Sequence, residues 1–252
     1  MQRGRLRVGT SGFHYPHWRG VFYPPGLAPA QWLRFYAQQF AAVELNNTFY
    51  RLPEAAVFDR WVAEAPAGFL FALKFSRYGS HLKRLREPAR TVPPFVERAA
   101  RLGPHLGPLL VQLPPRWGAD PQRLDAFLAE TPPHLRWAVE FRDPSWLNEE
   151  VFAVLAAHRA ALCLHDLLDR HPRRLTADWV YLRFHGDRYQ GSYSRGQLDA
   201  AAAEIRDWLA GGLDVHAFFN NDQCGYAVAN ARELSGLLGG EHEPRPARGH
   251  AP

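Results

Sequence analysis

Four charged side chains follow short apolar runs at positions where they could take part in catalysis: Glu44, Lys74, Glu140 and His185. Two carboxylates that face each other across a pocket can act as acid and base, so we predict this role for Glu140, with Glu44 or His185 as its partner. Lys74 could neutralise Glu44, bind a phosphate or, where it is desolvated, form a Schiff base. The expected chemistry is therefore proton transfer or covalent catalysis.

A second group of residues is predicted to bind the substrate. Arg142 and Arg183 are suited to hold a carboxylate or a phosphate, because a guanidinium group binds such anions through two hydrogen bonds. The backbone amides of the Gly9–Gly12 turn could cradle an anion, although a tight turn after a strand explains the same glycines. The further candidates for substrate binding are Gly9, Ser11, Asn46, Gln112, Asn220 and Asn221.

A third set of side chains could hold a divalent metal ion, since histidine and carboxylate ligands are common in metal-dependent barrel enzymes. The set consists of His165, Asp166, His185 and Glu140. The positive charges of Lys74, Arg142 and Arg183 would repel a cation at the same place. We therefore do not favour a metal, and the cofactor stays undetermined.

These side chains are positioned by strands that alternate with helical patterns along the whole chain. Apolar runs predict strands at Leu6–Thr10, Ala42–Asn46, Phe69–Phe75, Pro108–Leu113, Arg136–Phe141, Ala160–His165, Trp179–His185 and Asp214–Asn220. Intervening segments predict helices at Pro29–Phe40, Glu54–Ala65, Thr91–Leu102, Pro121–Glu130, Glu149–His158, Arg195–Ala210 and Gln223–Leu238. No full helix is predicted between the sixth and seventh strands.

Strict alternation of strands and helices implies a parallel sheet with right-handed crossovers. Eight such units in 252 residues match a (β/α)₈ barrel, or TIM barrel, which typically has about 250 residues. An open doubly wound sheet is the alternative, but no Gly-x-Gly-x-x-Gly follows the first strand. We predict an α/β fold with one TIM-barrel domain over residues 1–238. Residues 239–252, which are rich in glycine, proline and charge, are predicted to form a disordered tail.

Side chains on a strand point alternately to its two faces, which decides what enters the barrel. Trp137, Val139 and Phe141 share one face of the fifth strand and should contact the helices, so Glu140 and Arg142 point inward. The same rule predicts that ten further side chains point into the barrel: Glu44, Asn46, Lys74, Ser76, Gln112, Cys163, His165, Tyr181, Arg183 and His185. Most of these polar residues fall at the C-terminal ends of strands, where barrel active sites lie, while small or apolar residues fill the lower part. We expect the charges to be paired or hydrated, either around a pocket or as an ion-pair plug.

Several segments of the chain match the pattern of a known family. They are VGTSGFHYPHWRGVFYPP (Val8–Pro25), VELNNTFYRLP (Val43–Pro53), FALKFSRYGSH (Phe71–His81), VQLPPRW (Val111–Trp117), AVEFRDPSW (Ala138–Trp146), YLRFHGDRYQGSY (Tyr181–Tyr193) and FFNNDQCGYAVANARELSGLL (Phe218–Leu238). In these segments the chain resembles the YecE-like family, a domain of unknown function with a TIM-barrel fold. The resemblance implies the barrel but no particular reaction.

The formal net charge of +5 suits an anionic ligand, either a small phosphate-bearing molecule or a nucleic acid. Two cysteines without a Cys-x-x-Cys pair argue against a disulfide scaffold or a zinc ribbon, and Cys163 lies in an apolar run that predicts burial. We find no signal peptide and no run of about 20 apolar residues. A cytoplasmic protein without a membrane partner is expected.

Aromatic residues in the predicted loops at the mouth could stack on sugar rings or bases, or could only pack the loops. They are Phe49, Tyr50, Trp117, Trp146, Tyr189 and Tyr193. We expect a hydrolase, isomerase or lyase that acts on a small anionic or carbohydrate-like substrate. The alternatives are a metal-dependent, nuclease-like barrel and a barrel that binds a ligand without catalysis. The sequence leaves the oligomeric state open.

Overall fold

One sheet of eight parallel strands forms the centre of the molecule in the computed structural model, which describes residues 3–186 and 189–239. The strands are β1 (Leu6–Thr10), β2 (Ala42–Leu45), β3 (Leu70–Lys74), β4 (Leu106–Gln112), β5 (Trp137–Glu140), β6 (Ala161–His165), β7 (Trp179–Phe184) and β8 (Asp214–Phe219). Their order, β1-β8-β7-β6-β5-β4-β3-β2, places each strand beside the next one along the chain, as in a barrel. Apart from Gly239, the predicted tail lies outside the described residues.

Helices follow every strand except β6. They are α1 (Trp32–Ala37), α2 (Asn47–Tyr50), α3 (Ala55–Glu64), α4 (Pro88–Ala100), α5 (Pro121–Ala129), α6 (Glu149–Ala157), α7 (Arg195–Ala210) and α8 (Tyr226–Leu237). Short 3₁₀ turns occupy Pro16–Trp18, Pro29–Gln31, Gly103–His105, Pro144–Trp146 and Gln223–Gly225, and a π-helical turn occupies Tyr78–Leu82. The predicted single-domain (β/α)₈ TIM barrel is confirmed. Over the described ranges, no helix is long and apolar enough to cross a membrane.

Local sequence signals account for several helix ends. The Asp120 side chain accepts a hydrogen bond from the Arg123 amide at 3.1 Å and Pro121 takes the first helical position, which confirms the predicted start of α5. A reciprocal capping box between Ser194 and Gln197 starts α7. Residues 166–178, between β6 and β7, form no helix, as predicted.

Other element bounds were predicted wrongly, mainly where an element is short. The four-residue helix α2 and the π-helical turn were not predicted, because so few residues show no period. Helix α4 begins at Pro88, one turn before the predicted Thr91, since proline is tolerated in the first turn of a helix. Strands β2 and β8 each end one residue early, so Asn46 and Asn220 follow their strands.

Strands β1 and β2 meet at a seam that closes the barrel. A single bridge joins them there, between Ser11 and Glu44. The two backbones approach so closely that a Cβ atom at Gly9 would lie 1.9 Å from the carbonyl oxygen of Ala42. Only glycine permits this approach, so Gly9 serves the closure of the barrel.

A tyrosine hydroxyl fills the seam where the strands do not pair directly. Tyr36 reaches in from α1 and is fully buried. Its hydroxyl oxygen accepts from the Thr10 amide at 2.7 Å, and its proton is donated to the Ala42 carbonyl at 3.1 Å. The side chain thus replaces a backbone hydrogen bond between β1 and β2.

The lower part of the barrel interior is largely apolar, as predicted. It contains Ala42, Ala72, Leu110, Ala138, Ala161, Cys163, Trp179, Tyr181 and Phe218. Strand residues of the opposite parity, such as Val43 and Val139, belong to the core beneath the helices, which confirms the predicted faces. The exception is a polar group at the N-terminal ends of the strands, where Arg136 forms a salt bridge of 2.8 Å with Asp214 and lies 3.4 Å from buried His216.

Candidate functional site

Three charged side chains fill the centre of the barrel mouth. Glu44 lies on β2, Glu140 ends β5 and Arg183 lies on β7, and none of them is more than 2% exposed. Arg183 lies between the glutamates: its Nη2 donates to Glu44 Oε1 at 2.8 Å and its Nη1 donates to Glu140 Oε2 at 2.5 Å. We predicted that the inward charges are paired or hydrated, and these three are paired.

Arg142 covers Glu140 on the side that faces solvent. Its side chain is 12% exposed, and its Nε donates to Glu140 Oε1. The same guanidinium donates to the Tyr189 hydroxyl at 2.6 Å and to Gln112 Oε1 at 3.3 Å. Burial opposes ionisation of Glu140, but Arg142 and Arg183 outweigh burial and hold the pKa of Glu140 well below its ordinary value. Glu140 is therefore ionised at neutral pH and has no proton to deliver.

Hydroxyl groups complete the environment of Glu44. Ser11 donates to Oε1 and Tyr181 donates to Oε2 at 2.7 Å. Ser11 Oγ in turn accepts from Asn46 Nδ2 at 2.8 Å, so both predicted residues belong to this network. Burial, reinforced by the charge of Glu44, raises the pKa of Tyr181 and keeps it a donor. Strand parity placed Tyr181 inside the barrel but gave it no role.

His185 and Asp166 form a second polar pair at the mouth. Asp166 Oδ1 accepts from the His185 amide at 2.9 Å and lies 3.2 Å from His185 Nδ1, while Tyr193 donates to Oδ2. Burial lowers the pKa of His185, and the hydrogen bond to Asp166 offsets this only in part. The ring is neutral at pH 7, and its Nε2 lies 3.4 Å from Nη2 of Arg142. His185 Nε2 therefore accepts from Arg142 and is open to another proton only where this guanidinium turns away.

The four candidate metal ligands do not converge on one point. His165 uses both ring nitrogens on the backbone: Nε2 donates to the Phe141 carbonyl at 2.8 Å, and Nδ1 accepts from the Leu167 amide at 3.2 Å. Glu140 is bound to two arginines, and His185 Nε2 faces a guanidinium. Within residues 3–186 and 189–239, no three His, Cys, Asp or Glu side chains are grouped to hold a metal. The predicted donor set does not fit a metal ion.

Lys74 differs from the arginines of the mouth in having no partner within residues 3–186 and 189–239. It ends β3, it is 8% exposed, and its Nζ lies 4.2 Å from the centre of the Phe49 ring. Its ammonium group forms no salt bridge or hydrogen bond with any described residue, so the predicted neutralisation of Glu44 is not observed. Burial, followed by the positive charge of Arg183, lowers the pKa of Lys74 to about 8.

The backbone amides of the Gly9–Gly12 turn are used inside the fold. The amides of residues 10, 11 and 12 donate to the Tyr36 hydroxyl, the Phe219 carbonyl and the Glu44 carbonyl at 2.7, 2.8 and 2.7 Å. None of these three amides is available to an anion. The segment is a tight turn at the barrel seam.

Two further predicted binding residues follow β8. Asn221 is fully buried, and its Nδ2 donates to the Gly191 carbonyl at 2.9 Å and to Asn230 Oδ1 at 3.0 Å. It therefore fastens the loop after β7 to α8. Asn220 extends the pairing of β8 with β7, because its amide donates to the Phe184 carbonyl at 2.7 Å.

The aromatic residues predicted at the mouth divide into buried and exposed groups. Trp117 and Trp146 are buried, with ring centres 5.1 Å apart, and they pack the loops. Phe49 lies beneath Lys74. Tyr50 is 76% exposed and Tyr189 is 40% exposed, so these two side chains can meet a ligand.

The sequence profile of one family, described as "Protein of unknown function DUF72", matches residues 7–251. This match spans nearly the whole chain. The chain belongs to the DUF72 family. The YecE-like motifs noted above are consistent with DUF72, and the family description names no reaction.

Relatives of this DUF72 protein share both sequence and fold. The UPF0759 protein YunF of Bacillus subtilis (strain 168) is 24% identical over 260 residues, which covers 86% of this chain and 89% of YunF. The crystal structure of a DUF72 family protein from Thermotoga maritima MSB8 matches with a TM-score of 0.79 and 28% identity, over 93% of this chain and 99% of that one.

Two more distant structures show likeness of fold alone. A DUF72 family protein from Enterococcus faecalis V583 matches with a TM-score of 0.78 and 20% identity, over 95% of this chain and 99% of that one. The homocysteine methyltransferase MmuM of Escherichia coli matches with a TM-score of 0.51 and 16% identity, over 94% and 96% of the two chains.

Proposed function

We propose that this DUF72 protein is an enzyme for a small substrate with one anionic group, which binds over Lys74 and Arg142. The observation that carries the proposal is the ammonium group of Lys74, which has no partner among the described residues. The two glutamates of the mouth are already bound to Arg183 and Arg142. A buried charge without a partner is unfavourable, so an anionic substrate would stabilise it on binding.

A neutral histidine supplies a proton acceptor for catalysis. Asp166 lies 3.2 Å from Nδ1 of His185 and fixes that proton. Nε2, which accepts from Arg142 Nη2 at 3.4 Å, becomes the acceptor of a substrate proton when the bound anion draws that guanidinium away. Glu44 and Glu140 act as positioning residues, because they hold the arginines in place and Glu140 stays ionised. This assignment keeps His185, one of the two predicted partners of Glu140, and replaces the expectation that Glu140 itself is the acid or base.

The rim of the mouth suits a sugar phosphate or a small carboxylate. Tyr189 accepts a hydrogen bond from Arg142 at 2.6 Å, so its ring lies beside the guanidinium that would bind the anion. An exposed aromatic ring next to an anion-binding group is typical of sites for sugar rings. A carbohydrate-like substrate would therefore place its anionic group on Arg142 and its ring against Tyr189.

The proposal predicts that small anions raise the melting temperature through two specific side chains. A ligand present at a hundred times its Kd stabilises the folded state by about 2.7 kcal/mol. Each kcal/mol raises the melting temperature of a domain this size by roughly 2–4 °C. We expect phosphate, sugar phosphates or small carboxylates to produce such a rise by differential scanning fluorimetry, and Lys74→Gln and Arg142→Gln to abolish it.

Exposed cations provide the matched controls for this experiment. Lys83→Gln and Arg90→Gln each remove one positive charge from the surface, where the Arg90 side chain is 81% exposed. Both variants should show the same ligand-induced rise in melting temperature as the wild-type protein. A rise that persists in Lys74→Gln and Arg142→Gln would place the anion elsewhere and contradict the proposal. A ligand that stabilises the protein but is recovered unchanged would indicate a binding barrel without catalysis.

A polyanion is a second candidate ligand, favoured by the loop between β3 and α4. Residues 75–87 combine three exposed arginines with two exposed apolar side chains. The arginines are Arg77, Arg84 and Arg86, and the apolar residues are Tyr78 and Leu82. Basic and aromatic residues in one groove are typical of proteins that bind single-stranded nucleic acids. Binding of an oligonucleotide that weakens steeply with salt would favour this candidate. A metal-dependent nuclease is less supported, because the predicted donors are engaged elsewhere.

A further inference from the structure

We infer that Lys74 is a covalent catalytic residue whose amine forms an imine with a carbonyl group of the substrate. The inference rests on the proposed function, because the anionic group of the substrate brings the carbonyl to the mouth. It also names the substrate class: a small aldehyde or ketone that carries a carboxylate or a phosphate.

The part of the chain that the structure describes holds the backbone of Lys74 firmly and offers its amine no acceptor. The hydroxyl of buried Thr48 donates to the Lys74 carbonyl at 2.7 Å, which fixes the end of β3. The side chain then passes over the Phe49 ring, with Nζ at 4.2 Å from the ring centre. A lysine that served only as a structural cation would instead be paired with a carboxylate, as Arg183 is.

The composition of the chain singles out this amine. The chain has 30 lysines and arginines, of which only Lys74 and Lys83 are lysines. Arginine binds anions better through its planar fork, and it stays protonated at any physiological pH. A lysine in a mouth otherwise built with arginines therefore adds what arginine lacks, a nitrogen that can lose its proton and act as a nucleophile.

The electrostatic environment favours the reactive form of this amine. Burial and the charge of Arg183 lower the pKa of Lys74 to about 8, against an ordinary lysine value of 10.5. At pH 7 about a tenth of Lys74 would be free amine, roughly 300-fold more than for an ordinary lysine. Lys83 lies at the opposite extreme, because hydrogen bonds to Glu87 and Tyr78 raise its pKa.

The covalent step balances without any further reactant. The nitrogen lone pair of Lys74 attacks the carbonyl carbon, a C–N bond forms, and the carbonyl oxygen takes a proton from the nitrogen to give a carbinolamine. The C–O bond then breaks, the oxygen takes one proton from solvent and leaves as water, and the nitrogen keeps its second proton as an iminium. The positively charged C=N group withdraws electrons, so a proton on the adjacent carbon becomes acidic and His185 can accept it.

The first test uses the two lysines of the wild-type chain as an internal comparison. Formaldehyde with sodium cyanoborohydride methylates any accessible free amine, and peptide mass spectrometry reports Lys74 and Lys83 separately. We expect Lys74 to be modified at least about tenfold faster than Lys83 at pH 7, with a rate that rises through pH 8 as the amine deprotonates. Modification of Lys83 without Lys74 between pH 7 and 9 would overturn the inference, and this comparison needs no variant.

The second test asks whether a carbonyl compound that carries an anionic group forms the imine with Lys74. Pyruvate supplies a carboxylate and glyceraldehyde 3-phosphate supplies a phosphate. Each is incubated with the protein and cyanoborohydride, and no formaldehyde is added. We expect one of the two to label Lys74 in preference to Lys83. Lys74→Arg should lose this label while its circular dichroism spectrum is unchanged, and Lys83→Arg should keep it.

The outcomes separate this inference from the proposed function. Lactate, in which a hydroxyl replaces the carbonyl of pyruvate, should still raise the melting temperature through Arg142 but form no adduct. If lactate and pyruvate both stabilise the protein and neither carbonyl probe labels Lys74, the imine is wrong and the anion site stands. If no anion stabilises the protein through Arg142, the proposed function fails and the assigned substrate class fails with it.

Discussion

Arg183 links the two carboxylates at the centre of the mouth. Its terminal nitrogens donate to Glu44 at 2.8 Å and to Glu140 at 2.5 Å, and both glutamates are fully buried. Water cannot replace the guanidinium as the partner of either carboxylate, because both glutamates lie out of reach of solvent. The arginine is therefore needed to keep two negative charges inside the barrel, whatever substrate the mouth binds.

Replacement of Arg183 should be far more destabilising than replacement of an exposed arginine. Arg183→Met keeps the length of the side chain but leaves both carboxylates without their shared partner, and removal of one partner from a buried ion pair costs about 3–5 kcal/mol. Arg173→Met is the matched control, since Arg173 is 45% exposed in its pair with Glu204, and an exposed pair contributes about 0–1 kcal/mol. Urea unfolding measures both. Equal losses in the two variants would show that the buried network does not stabilise the barrel.

At the scale of elements, the seam between β1 and β2 depends on a side chain. The Tyr36 hydroxyl accepts from the Thr10 amide and donates to the Ala42 carbonyl, so its removal leaves a buried donor and a buried acceptor unsatisfied. We expect Tyr36→Phe to lower the free energy of unfolding by about 1–3 kcal/mol. Hydrogen exchange of the Thr10 amide should accelerate in the same variant.

An exposed tyrosine serves as the control for the seam. Tyr50 is 76% exposed, so Tyr50→Phe should change the free energy of unfolding by less than about 0.5 kcal/mol. An unchanged exchange rate at Thr10 in Tyr36→Phe would mean that water replaces the hydroxyl, and the seam would then not depend on the tyrosine.

The connection between β3 and α4 is the most strained element of the mouth in the described residues. After the π-helical turn Tyr78–Leu82, three residues other than glycine adopt left-handed backbone angles: Arg84 (φ 47°), Leu85 (φ 63°) and Glu87 (φ 55°). Such conformations are unfavourable and persist only where the surroundings impose them, often at functional sites. Leu85 is 1% exposed and anchors the loop, which begins directly after Lys74.

At the scale of the molecule, the sequence determines the barrel more clearly than the site. The alternation of apolar runs and helices is a local pattern, and it predicted the parallel strands and the inward faces of Glu140 and Arg183. It could not predict which charges pair, because Arg183 meets residues 43 and 139 positions away in sequence. The place of Tyr36 in the seam, and the lack of a partner for Lys74 among the described residues, likewise depend on how distant elements meet in three dimensions.

The whole molecule also contains buried and half-buried histidines that should make its stability depend on pH. Among the described residues, burial lowers the pKa of five histidines: His81, His165, His171, His185 and His216. The pKa of His81 falls to about 4 and that of His216 to about 3. Because the unfolded chain takes up these protons near pH 6.5 and the native state does not, the unfolded state binds more protons below that pH.

Stability should therefore be greatest above pH 6.5 and should decline as the pH falls from about 6.5 to about 4. Each histidine that stays neutral in the native state contributes a slope of about 1.4 kcal/mol per pH unit. Urea unfolding at pH 7, 5.5 and 4.5 measures the total slope. His216→Gln should reduce it by one such contribution, because burial holds His216 neutral in the folded protein. A free energy of unfolding that stays constant between pH 7 and 5 would mean that the buried histidines take up protons in the folded protein, and His185 would then not be the neutral proton acceptor of the mouth.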